Sequence, residues 1–158
     1  MSGVRSILLA EDNPRDVELT LAALAEHPLS YDVVIVRDGP EVLDYLHRRA
    51  AFEARPGGDP AVVVLDIKMP RMNGLEILKR IRADARLHSL PVVMLTSSSE
   101  RRDLVESYRL GANAYVVKPV AFDDFIGAVK SLGQFWTSLN EPPPECDDRR
   151  ARGAAARR

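Results

Sequence analysis

The stretch Ala61-Val62-Val63-Val64-Leu65-Asp66 decides how this chain folds. Five consecutive apolar residues, three of them valine, suit a central strand covered on both faces, as in parallel sheets. The run is too short for a helix of its own, and it stops at a carboxylate. Four more short apolar segments flank it, at residues 6–10, 31–36, 91–95 and 114–117. Amphipathic segments separate them. Asn13-Pro14 reads as an N-cap followed by proline at the first helical position, with Val17, Leu21 and Leu24 on one face. Asp38-Gly39-Pro40 opens a second helix that buries Val42, Leu43 and Leu46, and residues 50–60 form a loop through Pro56-Gly57-Gly58-Asp59-Pro60. Leu75, Leu78 and Ile81 mark a third helix. Ser99 is placed to cap a fourth, which carries Leu104, Val105 and Tyr108 and ends at Gly111. Phe122, Phe125, Ile126, Val129, Leu132, Trp136 and Leu139 recur at helical spacing in a fifth. Strands alternating with helices predict an α/β fold with a mainly parallel sheet.

Composition narrows the function classes. A chain of 158 residues, 46% hydrophobic and 28% charged, is one globular domain in size and buries enough surface to fold without disulfides. With 22 basic against 23 acidic residues it lacks the broad basic face of a nucleic-acid binder. Cys146 is the single cysteine, and His27, His47 and His88 are scattered, which leaves no disulfide and no zinc pattern. No stretch approaches the ~20 apolar residues of a membrane span, and no secretory signal is visible, so a cytoplasmic protein is expected. Asn140-Glu141-Pro142-Pro143-Pro144 cannot continue a helix. A domain over 5–139 is therefore expected. It is followed by a proline-rich and then arginine- and alanine-rich tail, 140–158, with little to bury and expected to be disordered.

In open parallel sheets chemistry collects beyond the carboxyl ends of the strands. Glu11-Asp12 follows the first strand, Asp66 the third, Thr96 ends the fourth and Lys118 follows the fifth. Taken singly each is ordinary: a solvated acidic pair, a turn cap, a strand threonine, a surface lysine. Converging on one rim, three carboxylates repel unless a cation neutralises them, and oxygen ligands with positions to spare suit Mg²⁺. An amine and a hydroxyl are donors for an anion. Together they describe phosphoryl transfer onto an aspartate.

With Leu8-Leu9-Ala10-Glu11-Asp12-Asn13, Leu65-Asp66-Ile67-Lys68-Met69-Pro70, Met72-Asn73-Gly74, Leu95-Thr96-Ser97, Gly111-Ala112 and Val117-Lys118-Pro119 in order, the chain resembles the receiver domain of two-component response regulators over residues 5–139. The resemblance implies a doubly wound (βα)5, flavodoxin-like fold with strand order 2-1-3-4-5. It implies Asp66 as phosphoacceptor from a sensor histidine kinase. Mg²⁺ would be held by Asp12, Asp66 and the Lys68 backbone carbonyl, with Glu11 bound through water or directly. Lys118 and Thr96 would contact the phosphoryl oxygens, and Thr96 and Tyr115 would act as switch residues. Lys118-Pro119 is expected to be cis. The long segment between the second helix and the third strand, the Arg86-Leu87-His88-Ser89-Leu90-Pro91 approach to the fourth strand, and the ending Phe135-Trp136 through Pro143 resemble stand-alone regulators paired with phytochrome-type kinases. Phe135, Trp136 and Leu139 are apolar groups left for a partner, and a homodimer through the fourth helix, fifth strand, fifth helix and the following segment is expected.

Three other classes fit less well. A haloacid-dehalogenase-type phosphohydrolase wants a second aspartate two residues past the nucleophile, where Lys68 stands. A nucleotide-binding protein wants a glycine-rich loop after the first strand, and there is none. A receiver-like module that binds partners without phosphate has no need of the complete set Glu11, Asp12, Asp66, Thr96 and Lys118. The expectation is a signalling protein that promotes only its own phosphorylation and dephosphorylation, rather than an enzyme acting on another substrate.

Overall fold

A computed structural model describes residues 5–26 and 31–144, with residues 23, 24 and 26 by their backbone alone. Five strands, β1 (Ser6–Ala10), β2 (Asp32–Val36), β3 (Val62–Leu65), β4 (Val92–Thr96) and β5 (Ala114–Val117), alternate with α1 (Pro14–Glu26), α2 (Gly39–His47), α3 (Gly74–Ala83), α4 (Arg101–Arg109) and α5 (Phe122–Gln134). All strand pairs are parallel, in the order β2-β1-β3-β4-β5. This is the doubly wound, flavodoxin-like arrangement. The chain reverses direction across the sheet between β1 and β3, which opens a crevice at their carboxyl ends.

The strand alternation divides the core in two. Leu8, Val63, Leu65, Val92 and Met94 face one way, into Val42 and Leu46 of α2 and Ile77, Leu78 and Ile81 of α3. Ile7, Leu9, Val62, Val64, Val93 and Leu95 face the other way, into Phe125, Ile126 and Val129 of α5. Every residue of β3 is buried, as its unbroken apolar run demands.

The helix starts follow local chemistry. Asn13 Oδ1 accepts from the N–H of Arg15 and Asp16 at 3.0 and 3.2 Å, and Asp38 Oδ1 accepts from Glu41 N at 2.9 Å. Two expectations change here. Ser99 does not cap α4: Glu100 holds the N-cap position, and Ser98 Oγ accepts from Glu100 N at 3.3 Å. Lys118–Pro119 is trans, since no described peptide bond is cis. An X–Pro bond prefers trans by about 0.5–1 kcal/mol, and a motif match does not reverse that.

Burial departs from periodicity on two helices. Leu21 is 51% exposed on α1, whose buried residues include Val17 and Thr20, and the Leu24 side chain lies outside the described residues. Leu104, Val105 and Tyr108 are exposed on α4, whose one buried residue is Ser107. The reason is position: α4 packs beside β5, an edge strand whose residues are half-buried or exposed. After Gln134 the helix widens into one π turn, Phe135–Leu139, closed by Asn140 N donating to Phe135 O at 2.8 Å. There Trp136 packs against the α5 side of the core, so the aromatic pair expected to face a partner is split: Trp136 folds back, while Phe135 and Leu139 stay exposed. Cys146 and the rest of 145–158 lie outside the described residues.

Candidate functional site

Strand register assembles the rim. Ala10 pairs with Leu65, so Glu11 and Asp66 leave neighbouring strands side by side. Thr96 pairs with Val117, so Lys118 follows on the next strand out. Lys118 N also donates to Thr96 O at 2.6 Å, which extends the β4–β5 ladder by one bond.

Glu11, Asp12 and Asp66 each bring a carboxylate oxygen into a group whose members lie within 4.8 Å of one another. Glu11 is 2% exposed and Asp66 7%. Lys118 Nζ sits 2.5 Å from Glu11 Oε2 and 3.5 Å from Asp66 Oδ2, with the Phe125 ring centroid 5.3 Å away. Burial pushes the Glu11 carboxyl above its usual range, against the hydrogen bond and charge of Lys118. Burial works to lower the Lys118 ammonium, but the hydrogen bond and charge of Glu11, with Asp66 and Asp16, hold it above its usual value. The lysine is therefore a fixed cation among carboxylates.

The loop after β3 shapes the acceptor side. Lys68 N donates to Asp66 Oδ1 at 3.3 Å, and the Lys68 side chain is exposed. Gly74 N donates to Ile67 O at 2.8 Å, which folds the loop back so closely that a Cβ at Gly74 would overlap the Asp66 carbonyl oxygen. Arg71 sits at φ 67, and its guanidinium pairs with the buried carboxylate of Asp38, tying this loop to the start of α2.

On the other side Thr96 is fully buried, and its Oγ1 accepts from Ser98 N at 3.3 Å. Tyr115 is half-buried, its Oη donating to Ser98 O at 2.7 Å. Burial raises its phenol pKa, opposed by that hydrogen bond. Ser98 Oγ donates in turn to Asp103 Oδ2 at 2.6 Å. The structure thus brings together Glu11, Asp12, Asp66 and Lys118, and links Thr96 to Tyr115 through Ser98. Sequence reasoning missed Ser98, Asp103 and Asp16, whose Oδ2 lies 3.9 Å from Lys118 Nζ. The acid in the first turn of α1 was a visible signal, but it reads equally well as a helix-dipole partner.

A sheet in this order, with carboxylates on β1 and β3, a hydroxyl on β4 and an amine on β5, defines a receiver. The chain belongs to the response regulator receiver domain family, whose model matches residues 7–130. Among solved structures it is similar to the bacteriophytochrome response regulator RtBRR, with 54% identity and a TM-score of 0.68, covering 98% of this chain and 95% of that one. It is similar to the phosphorylated cyanobacterial phytochrome response regulator RcpA, with 33% identity and a TM-score of 0.79 over 90% of this chain and all of that one. Response regulator Rcp1 of Synechocystis sp. is 32% identical over 130 residues, 82% of this chain and 87% of that protein. The Mn²⁺-bound form of response regulator Rcp1 matches with 30% identity and a TM-score of 0.76, covering 89% and 99% of the two chains. No described helix is long and apolar enough to cross a membrane.

Proposed function

We propose that Asp66 accepts a phosphoryl group from a sensor histidine kinase in a Mg²⁺-dependent step, and that the chain signals by protein contacts or by passing the phosphate on. The observation that carries this reading is the convergence at Asp66: a buried carboxylate with two more carboxylates beside it, a fixed ammonium 3.5 Å away and a buried hydroxyl ending the adjoining strand. In the transfer an Asp66 oxygen bonds to phosphorus as the bond from phosphorus to the kinase histidine nitrogen breaks, and that nitrogen leaves with the electron pair. In this reading Lys118 would meet one phosphoryl oxygen and Thr96 another.

Three oxygen donors from two neighbouring strands fit a hard divalent cation that keeps some of its waters. Glu11, Asp12 and Asp66 would hold it, with the Lys68 carbonyl. Bound there, Mg²⁺ supplies charge neutralisation for phosphoryl oxygens beside carboxylates. The chain promotes only its own phosphorylation and dephosphorylation. The similarity to RtBRR and RcpA supports a phytochrome-type kinase as partner. A receiver domain that takes phosphate from such a kinase would work in the cytoplasm. Exposed Leu104, Val105, Tyr108 and Val117 on α4 and β5, with Phe135 and Leu139 beyond α5, support a homodimer through these elements.

Acetyl phosphate or a candidate kinase is expected to give a hydroxylamine-labile label on the intact chain. Asp66→Asn, or chelation of Mg²⁺, abolishes it while the circular dichroism spectrum stays unchanged. A full label on Asp66→Asn overturns the site. No label on the intact chain favours a receiver-like module that binds partners without phosphate.

A further inference from the structure

The three serines after β4 differ in what they reach. Ser97 and Ser99 are exposed, while Ser98 is buried and every polar atom it carries is engaged. Its N–H donates to Thr96 Oγ1 at 3.3 Å, and its carbonyl accepts from Tyr115 Oη at 2.7 Å. Its hydroxyl accepts from Glu100 N at 3.3 Å and donates to Asp103 Oδ2 at 2.6 Å.

The last two bonds make an extended cap. Glu100 is the N-cap of α4 and forms no side-chain cap bond of its own. In a capping box the acid at the third helical position reaches back to the N-cap N–H. Asp103 holds that position, but the Ser98 hydroxyl stands between, taking the Glu100 N–H and donating its own O–H to the carboxylate. A hydroxyl–carboxylate bond of this length is the stronger, charge-assisted kind. The first turn of α4 is thereby fastened to the loop that leaves β4.

That fastening reaches the acceptor site through Thr96. A hydroxyl has one proton to donate and lone pairs to accept with. Thr96 Oγ1 is fully buried, accepts from Ser98 N and donates to no described residue, so its O–H is left for an arriving oxygen. The N–H that holds the other side of this hydroxyl is kept in place by the Ser98 side chain, and that side chain is kept in place by Asp103.

We propose that Asp103 is a positioning residue for the acceptor site: through the Ser98 hydroxyl it fixes the N–H that orients Thr96 Oγ1, and so sets how fast Asp66 takes up phosphate. The inference rests on the phosphoacceptor reading above, and adds to it a residue of α4 that stands outside the carboxylate trio.

The rate constant for labelling the full chain with acetyl phosphate, at saturating Mg²⁺, tests it. Asp103→Ala is expected to slow labelling about fivefold, the scale of one hydrogen bond expressed in a barrier. Asp103→Asn keeps an oxygen to accept from Ser98 Oγ and is expected to restore the rate to within about twofold. In a Thr96→Val background no hydroxyl remains to orient, so Asp103→Ala changes the rate by less than about twofold. A rate untouched by Asp103→Ala overturns the proposal even if the melting temperature falls, because the cap then only stabilises α4. Equal slowing in both backgrounds overturns it as well, since the residue then acts by a route other than Thr96, and so does an Asp103→Asn variant as slow as Asp103→Ala. If Asp103→Ala does not fold, Ser98→Ala removes the same bond from its other end and carries the comparison in both backgrounds. An intact chain that takes no label removes the phosphoacceptor reading and this inference with it. A labelled chain indifferent to Asp103 removes the inference alone.

Discussion

Gly74 leaves no room for a methyl group, because a Cβ there would run into the Asp66 carbonyl and press on Ile67 Cα. Gly74→Ala is therefore expected to cost about 2 kcal/mol in urea unfolding, and to slow labelling of Asp66 because its backbone must shift. Lys68 is exposed two residues past Asp66, where a long cation can lean over the phosphoryl group and obstruct the in-line path of a hydrolytic water. Lys68→Asn is expected to shorten the phosphoryl half-life several-fold; an unchanged or longer half-life in a decay assay means the side chain points away. Single residues at strand ends were legible from the chain alone, because a buried run that stops at Asp66 or Lys118 places that residue on the rim whatever else happens. Ser98 was not. Its importance comes from meeting Thr96, Tyr115 and Asp103 at once, and nothing in Ser97-Ser98-Ser99 distinguishes the middle serine from its neighbours.

Among the elements, α5 is held by an aromatic wedge. Gly133 admits the Tyr31 ring where any side chain would collide, and Tyr31 Oη donates to Lys130 O at 2.9 Å. Burial raises the Tyr31 phenol above its ordinary 10.0. A folded pKa above the unfolded one means that the neutral phenol stabilises the fold. The contribution is complete below about pH 10 and is lost as pH rises through the raised value. Tyr31→Phe is expected to lose about 1 kcal/mol at neutral pH. It should then show a flatter decline than the natural chain in unfolding measured between pH 9 and 11, the range set by that linkage. The same alkaline decline in both would assign it elsewhere. The strands and the faces of α2 and α3 followed from periodicity because layers cover them on known sides. For α4 the period was correct but the outcome was not, since burial depends on a neighbour and β5 has none beyond it. The cis bond expected at Lys118–Pro119 failed for a related reason: a local motif does not carry the tertiary context that selects an isomer.

For the molecule as a whole, the apolar residues left outside both core layers form the surface on which association is expected. Phe135→Ala with Leu139→Ala removes exposed groups and is expected to move a dimer to monomer in sedimentation with little change in melting temperature. Trp136→Ala, which opens the core, lowers the melting temperature instead, by several degrees. A monomer at tens of micromolar, phosphorylated or not, assigns the patch to another partner. A different consequence follows from Arg5, just ahead of β1, whose Nη1 donates to the Thr137 carbonyl at 2.7 Å across 132 positions of sequence. That bond clasps the beginning and the finish of the fold at the pole opposite the acidic rim. A short linker could join them there and the backbone be reopened in the exposed stretch after α2, giving a circular permutant expected to keep the acidic rim intact. Reporter groups grafted beside Arg5 and beside Thr137 would stand together, well clear of the acidic rim.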